Sequence, residues 1–315
     1  MVRLTQKDLD IAVELLPKQF IDGRIRVAGA TRSKIQYGAI ENRGGYGSIY
    51  RAKRIASEIT DICVKIPHIP SFSLCSEAVI QWFVGEALKR AKVLGAVPEI
   101  YDIFQYAGET RVAMSFIEGV RSLEWVLDSP TPEKTFLQIL AQLSLLLAYL
   151  EEEVHFDHRD LKADNIWIRP TPIEYRISVG GCRWSVTAPF QVVILDFGFS
   201  CIGGGDGNAV VSLSDGILPE MDPCPKEGRD LFQFIASLWT VGIFRSKMSA
   251  EFQAEMDLLL AYRNKPYASL VKQTNEMRWV YLLVSDSEFS HPPLHPLSLL
   301  RAVSIKYPTI GIYSE

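Results

Sequence analysis

His158-Arg159-Asp160-Leu161-Lys162-Ala163-Asp164-Asn165, joined further along by Asp196-Phe197-Gly198, is the stretch on which the reading of this chain turns. Groups of unlike chemistry crowd into it. Asp160 offers a carboxylate able to orient a hydroxyl and take its proton, and Lys162 places a positive charge two residues on. Asn165 and Asp196 add hard oxygen ligands for a divalent cation. Phosphoryl transfer asks for that set, because the protein's share of the work is positioning and charge neutralisation. Asp164 reads as a solvated loop acid, and His155 as a structural residue just before the loop.

Both strings match the signatures H-R-D-L-x-x-x-N and D-F-G of protein kinases at every defined position. The chain therefore resembles the eukaryotic-type protein kinase superfamily. Lys162, two residues after the aspartate, resembles the serine/threonine-directed members. The resemblance implies an α+β, bilobal protein-kinase-like fold: a small β-rich N-lobe with one long helix, and a larger, mainly helical C-lobe. It implies one kinase domain divided near Ile117. Residues 1–117 would hold a leading helix, a glycine-rich loop, the ATP-binding lysine strand and an αC-type helix. Residues 118–315 would hold the catalytic loop, the Asp-Phe-Gly segment and a helical C-terminal part. The activity implied is transfer of the γ-phosphoryl of ATP to a protein serine or threonine hydroxyl with Mg2+, for which Mn2+ could substitute. In that reading Asp160 is the base, Lys162 neutralises charge on the transferred group, and Asn165 and Asp196 hold the metal. His158 and Phe197 pack rather than react.

Upstream, apolar spacing over Leu4–Leu16 predicts a short leading helix. Lys34–Ile40 and Ser48–Ile55 read as strands around Gly44-Gly45-Tyr46-Gly47. Alone, those glycines mark an ordinary hairpin turn. In the resemblance they cover the ATP phosphates, with Ile49 in the valine place and Asn42 where the first glycine belongs. Ile62-Cys63-Val64-Lys65-Ile66 is a buried-strand pattern with a lysine in its middle, which either snorkels to water or meets an anion. The family position makes Lys65 the phosphate-binding lysine, and puts Cys63 and Ile49 over the adenine. Its glutamate partner lies on the helix predicted from about Ser73 to Leu94. Glu77 sits one turn before the stripe Ile80, Val84, Leu88, Ala91, whereas Glu86 has Lys89 and Arg90 at i+3 and i+4, a solvated pattern. Glu77 is the choice and Glu86 the competitor. Arg111–Phe116 is a further strand; by resemblance Met114 is the gatekeeper and Ser115, Phe116 and Ile117 the hinge. Trp167 falls at the adenine floor, where a core role is the plain alternative.

Two departures mark the chain. Thirty residues separate Asn165 from Asp196, and they read as a strand, a Tyr175–Val179/Cys182–Val186 hairpin turning at Gly180-Gly181, and the strand Gln191–Leu195. After Asp196-Phe197-Gly198 there is no Ala-Pro-Glu; Gly203-Gly204-Gly205-Asp206-Gly207 follows. The combination is similar to haspin-like atypical kinases, which would imply a histone tail as substrate. By resemblance Arg159 would receive a phosphate carried by the segment after Gly198, which contains Ser200, Ser212 and Ser214, yet the missing Ala-Pro-Glu favours constitutive activity. Asp230 heads an apolar helix, as its cap or, by resemblance, as the anchor of the catalytic loop.

At 315 residues with 48% hydrophobic and 22% charged content, the chain can bury a large core. A net charge of −4 draws it to neither nucleic acid nor anionic membrane, and no nucleic-acid motif is found. Phe136–Leu150 is too short and too interrupted to span a bilayer. With no signal peptide and five scattered cysteines read as free thiols, an intracellular location follows, cytoplasmic or nuclear and not secreted. The competing functions are a small-molecule kinase of the aminoglycoside-phosphotransferase type and a nucleotide-binding pseudokinase scaffold. Oligomeric state is not encoded in any motif.

Overall fold

The computed structural model describes residues 6–44, 47–68, 74–203, 210–211, 223–261, 272 and 277–314. Helix α1 (Gln6–Glu14) leads into strands β1 (Lys18–Gln19), β2 (Arg24–Val27), β3 (Ala30–Arg43), β4 (Gly47–Ile55) and β5 (Ile59–Pro67). Helix α2 (Cys75–Arg90) and strands β6 (Ile100–Tyr106) and β7 (Glu109–Ser115) complete this part. The strands close into a seven-stranded barrel in the order β1-β2-β3-β4-β5-β7-β6. That closure corrects the expected bilobal kinase fold with a small β-rich N-lobe and one long helix. Its cause is local: β1 pairs antiparallel with β2 and parallel with β6 at Gln105, so two residues satisfy both free sheet edges. Gln105 N donates to Pro17 O at 2.8 Å beside the same seam.

Alternation along β4 and β5 points Ala52, Ile62 and Val64 inward, where they meet Ile25, Ile35 and Phe104. One carboxylate is buried in the barrel wall. Asp102 accepts from Arg54 Nε at 2.6 Å and Ser33 Oγ at 3.1 Å, and Arg32 pairs with it at 3.1 Å. A buried carboxylate left alone would be costly, so these three donors hold β3, β4 and β6 in register.

Among the described residues the remaining chain carries more helix than strand: α3 (Pro132–Val154), α4 (Arg229–Trp239) and later helices at Ala250–Leu259, Met277–Ser285 and Pro296–Lys306. Its strands are short, β13 (Cys201–Ile202) and β14 (Val210–Val211) among them. The central strands for the site are β9 (Ile166–Arg169) and β12 (Gln191–Ile194), which pair antiparallel with β8 (Arg121–Ser122) outside β9. The hairpin β10 (Ile173–Val179) and β11 (Cys182–Ala188) turns at Gly180 and Gly181, both at positive φ, and pairs with the last strand, β15 (Ile312–Ser314). Every residue of α3 from Thr135 to Leu150 is buried. Gln142 survives there because its amide donates to Phe190 O at 3.2 Å and accepts from Val192 N at 2.9 Å. Among the described residues no helix is long and apolar enough to cross a membrane.

Cys201 and Cys224 form a disulfide, which corrects the reading of five free thiols; Cys63, Cys75 and Cys182 stay outside any disulfide. A separation of 23 residues gave no pairing signal.

Near the end of α3, Glu151 has its carboxyl pushed up to about 8, first by burial and then by Asp157 and Glu227. A folded carboxyl raised above its ordinary 4.5 keeps a proton that the unfolded chain releases. Stability is therefore full below about 4.5 and falls as pH rises towards 8. Glu151→Gln is expected to gain roughly 2–4 kcal/mol at pH 8 and almost nothing at pH 4, read from denaturant melts at the two pH values. Equal effects at both would refute the buried-proton account.

Candidate active site

The pairing of β9 with β12 assembles the chemistry. Ile166 faces Ile194 across the ladder, so Asn165, just before β9, and Asp196, just after β12, emerge side by side. Leu195 N donates to Asn165 O at 2.9 Å and locks that crossing. The long intervening sequence loops away as the β10–β11 hairpin and costs the site nothing.

Across the cleft, β5 carries Lys65 opposite Ile49 of β4, and Cys63 lies opposite Met114 of β7. Lys65 Nζ lies 2.5 Å from Glu77 Oε1 and 3.2 Å from Asp196 Oδ1, so one cation ties the barrel, α2 and the strand end together. Glu86 instead pairs with Lys89 at 2.9 Å on the exposed face of α2. Burial would lower Lys65, but Glu77 and Asp196 outweigh it and hold the amine charged. Burial raises Asp196 and Lys65 overcomes that too, keeping this carboxylate below its ordinary range. Glu77, deeper still, is pushed up by burial against the pull of Lys65.

These groups surround a cavity of about 520 Å³. Gly44, Gly47 and Ile49 roof it; Cys63, Lys65 and Glu77 form its back. Met114, Ser115, Phe116 and Ile117 form one end, and Asn165, Trp167 and Asp196 the floor. Gly45 lies outside the described residues, as do Gly204 to Gly207, Ser212 and Ser214. Gly47 is needed for its missing side chain: a Cβ there would sit 2.7 Å from Ile66 O. The helical pattern did not single out Gln81 of α2, whose amide donates to the Pro98 carbonyl at 2.8 Å and reaches Met114 Sδ at 3.8 Å. A second cavity, of about 530 Å³, opens beyond Ser115–Ile117 and is lined by Trp82, Lys89, Leu94 and Glu99. Its lining includes none of Lys65, Glu77, Asn165 and Asp196.

Asp160 sits beside the 520 Å³ cavity rather than in its lining, almost fully buried. Lys162 Nζ donates to its Oδ2 at 2.9 Å, and Asn165 Nδ2 donates to Oδ2 at 3.1 Å and to its carbonyl at 2.8 Å. Tyr281 Oη donates to Asp160 Oδ1. No motif pointed to Tyr281, which stands 121 residues away.

The loop's backbone is held from α4. Asp230, the second residue of that helix after Gly228, accepts from His158 N at 2.7 Å and Arg159 N at 2.9 Å. Gln233 Nε2 donates to Arg159 O at 3.0 Å, and Ser237 Oγ accepts from Ala163 N at 2.9 Å. Arg159 and Asp196 take φ of 63° and 59°, which costs roughly 1 kcal/mol or more per residue. The anchoring bonds are what hold them there. His158 packs 5.5 Å from Phe197, bonds to Leu195 O at 3.0 Å and is kept neutral by burial.

Comparison with known proteins gives one relative by sequence. A protein of Invertebrate iridescent virus 3 described as "Probable kinase 098L" is 27% identical over 175 residues, which is 55% of this chain. That match supports a kinase-like family. The aligned part is 32% of the viral protein, so the chain spans about a third of its relative's length. No family model matches the chain.

The donor set suits a divalent cation. Asn165 spends its NH2 on Asp160, which leaves the amide oxygen as the ligand it can offer. Asp196 is a half-exposed carboxylate on the same cavity. Among the described residues no cluster of three or more His, Cys, Asp or Glu could hold a metal by itself. Magnesium is commonly held by one or two protein oxygens with substrate phosphates completing the shell.

Proposed function

We propose that the chain is an ATP- and Mg2+-dependent serine/threonine protein kinase. One observation carries this reading. Lys65, Glu77 and Asp196 meet at one cavity whose floor also holds Asn165, and Asn165 is bonded directly to Asp160. An adenine would lie between Ile49 and Cys63 above and Trp167 below, with its edge against the backbone of Ser115–Ile117. Lys65, kept charged, would face the α- and β-phosphates. Asn165 and Asp196 would hold magnesium, which would supply positive charge against the phosphates. Asp160 would accept the proton of the attacking hydroxyl while Lys162 stabilises charge growing on the transferred group. The viral relative's description as a kinase supports the same reading.

The test is transfer from γ-labelled ATP to casein and histone at fixed Mg2+, with chelator as control. Magnesium-dependent label on serine or threonine is expected. Label on a small alcohol or aminoglycoside with none on protein would redirect the assignment, and no label with any acceptor would sink it.

A further inference from the structure

Tyr281 brings a hydroxyl against the catalytic-loop aspartate from a distant part of the chain. Its hydroxyl donates to Asp160 Oδ1, and Lys162 Nζ lies 3.5 Å from the Tyr281 hydroxyl oxygen. Asn165 engages Oδ2, where Lys162 also makes its shorter bond, so Oδ1 carries the Tyr281 hydroxyl with only the longer Lys162 contact at 3.3 Å beside it. The helix that bears it, Met277–Ser285, is seated firmly: Val280 and Val284 are buried. Its C-terminal end is tied down by Lys226, whose Nζ donates to Val284 O at 2.7 Å and Asp286 O at 2.6 Å. The phenol is thus held at the base by the fold itself.

We propose that Tyr281 is an intramolecular phosphorylation site of this chain, an inference that rests on the kinase reading above. In the step, the Tyr281 Oη–phosphorus bond forms as the bond from the γ-phosphorus to the β,γ-bridging oxygen breaks. The nucleoside diphosphate leaves with that electron pair, and the phenol proton passes to the Asp160 carboxylate. Tethering explains how an aryl hydroxyl serves a site otherwise suited to alkyl ones, since fixed proximity replaces recognition.

The full chain, treated with phosphatase and then cleared of it, is incubated with ATP and Mg2+ alone and with casein and histone present; phosphosites are mapped by mass spectrometry. The expected result is phosphate on Tyr281, at a rate constant unchanged over an about ten-fold dilution of protein, as an intramolecular step requires. That tyrosine signal is lost in Tyr281→Phe, which keeps the ring, and in Asp160→Ala. Transfer to casein or histone with Tyr281 unmodified overturns the proposal and leaves the kinase reading standing. A Tyr281 rate that scales with protein concentration also overturns it. Absence of transfer to every acceptor removes both.

Discussion

Asp160→Ala is expected to lower phosphoryl transfer by about 10²–10⁴-fold while leaving ATP affinity within a factor of about three. The separation of the two effects follows from where the carboxylate lies. The 520 Å³ cavity is lined by Lys65, Glu77, Asn165, Trp167 and Asp196, and Asp160, bonded to Asn165, lies outside that lining. Removing it leaves the Lys65–Glu77 and Lys65–Asp196 pairs untouched. Asn165 keeps the 2.8 Å bond to the carbonyl of residue 160, so its orientation survives. Lost is the carboxylate that accepts from both Lys162 and Tyr281. Asp160→Asn keeps the shape but cannot take a proton, and should fall nearly as far. ATP affinity by thermal shift, set beside initial transfer rates, separates the outcomes. A variant retaining more than about a tenth of the rate would mean that Asp160 is not the base.

Legibility in the sequence followed distance along the chain. The catalytic-loop residues Asp160, Lys162 and Asn165 lie within six positions, so their joint chemistry can be read directly. Lys65 could be read because a lysine inside Ile62–Ile66 is anomalous for a buried strand. The choice between Glu77 and Glu86 turned on helical phase, and the structure pairs Glu77 with Lys65. Barrel closure had no such signal. It depends on a two-residue strand, too short to show alternation, meeting Gln105 across 87 residues. The Cys201–Cys224 bond and the Tyr281–Asp160 contact are likewise products of tertiary approach. In each case the partner is an ordinary residue in an ordinary stretch, and only its neighbours in space give it meaning.

Asp230→Ala carries the largest expected cost to the fold, roughly 2–6 kcal/mol, because it leaves two buried N–H groups without acceptors at about 1–3 kcal/mol each. Those groups belong to His158 and Arg159, the residues immediately before Asp160. Arg159 already sits at a φ of 63°, so its conformation persists only while the surrounding bonds hold it. The carboxyl itself is raised by burial first and by the neighbouring Asp157 second, and Asp157 in turn pairs with Arg229 at 3.1 Å. Removing one acid of that pair relieves repulsion on Asp157, which offsets part of the loss. The remainder is large beside a total stability of about 5–15 kcal/mol for a typical chain. Activity should fall with it even at temperatures where the variant is folded, since the two freed amides let the backbone carrying Asp160 move. Asp230→Asn keeps one acceptor oxygen and should lie between wild type and alanine in both denaturant midpoint and transfer rate. The decisive comparison is Asp230→Ala assayed well below its melting point. A normal rate there, with only the midpoint lowered, would make Asp230 a brace for α4 alone and detach it from the positioning of Asp160.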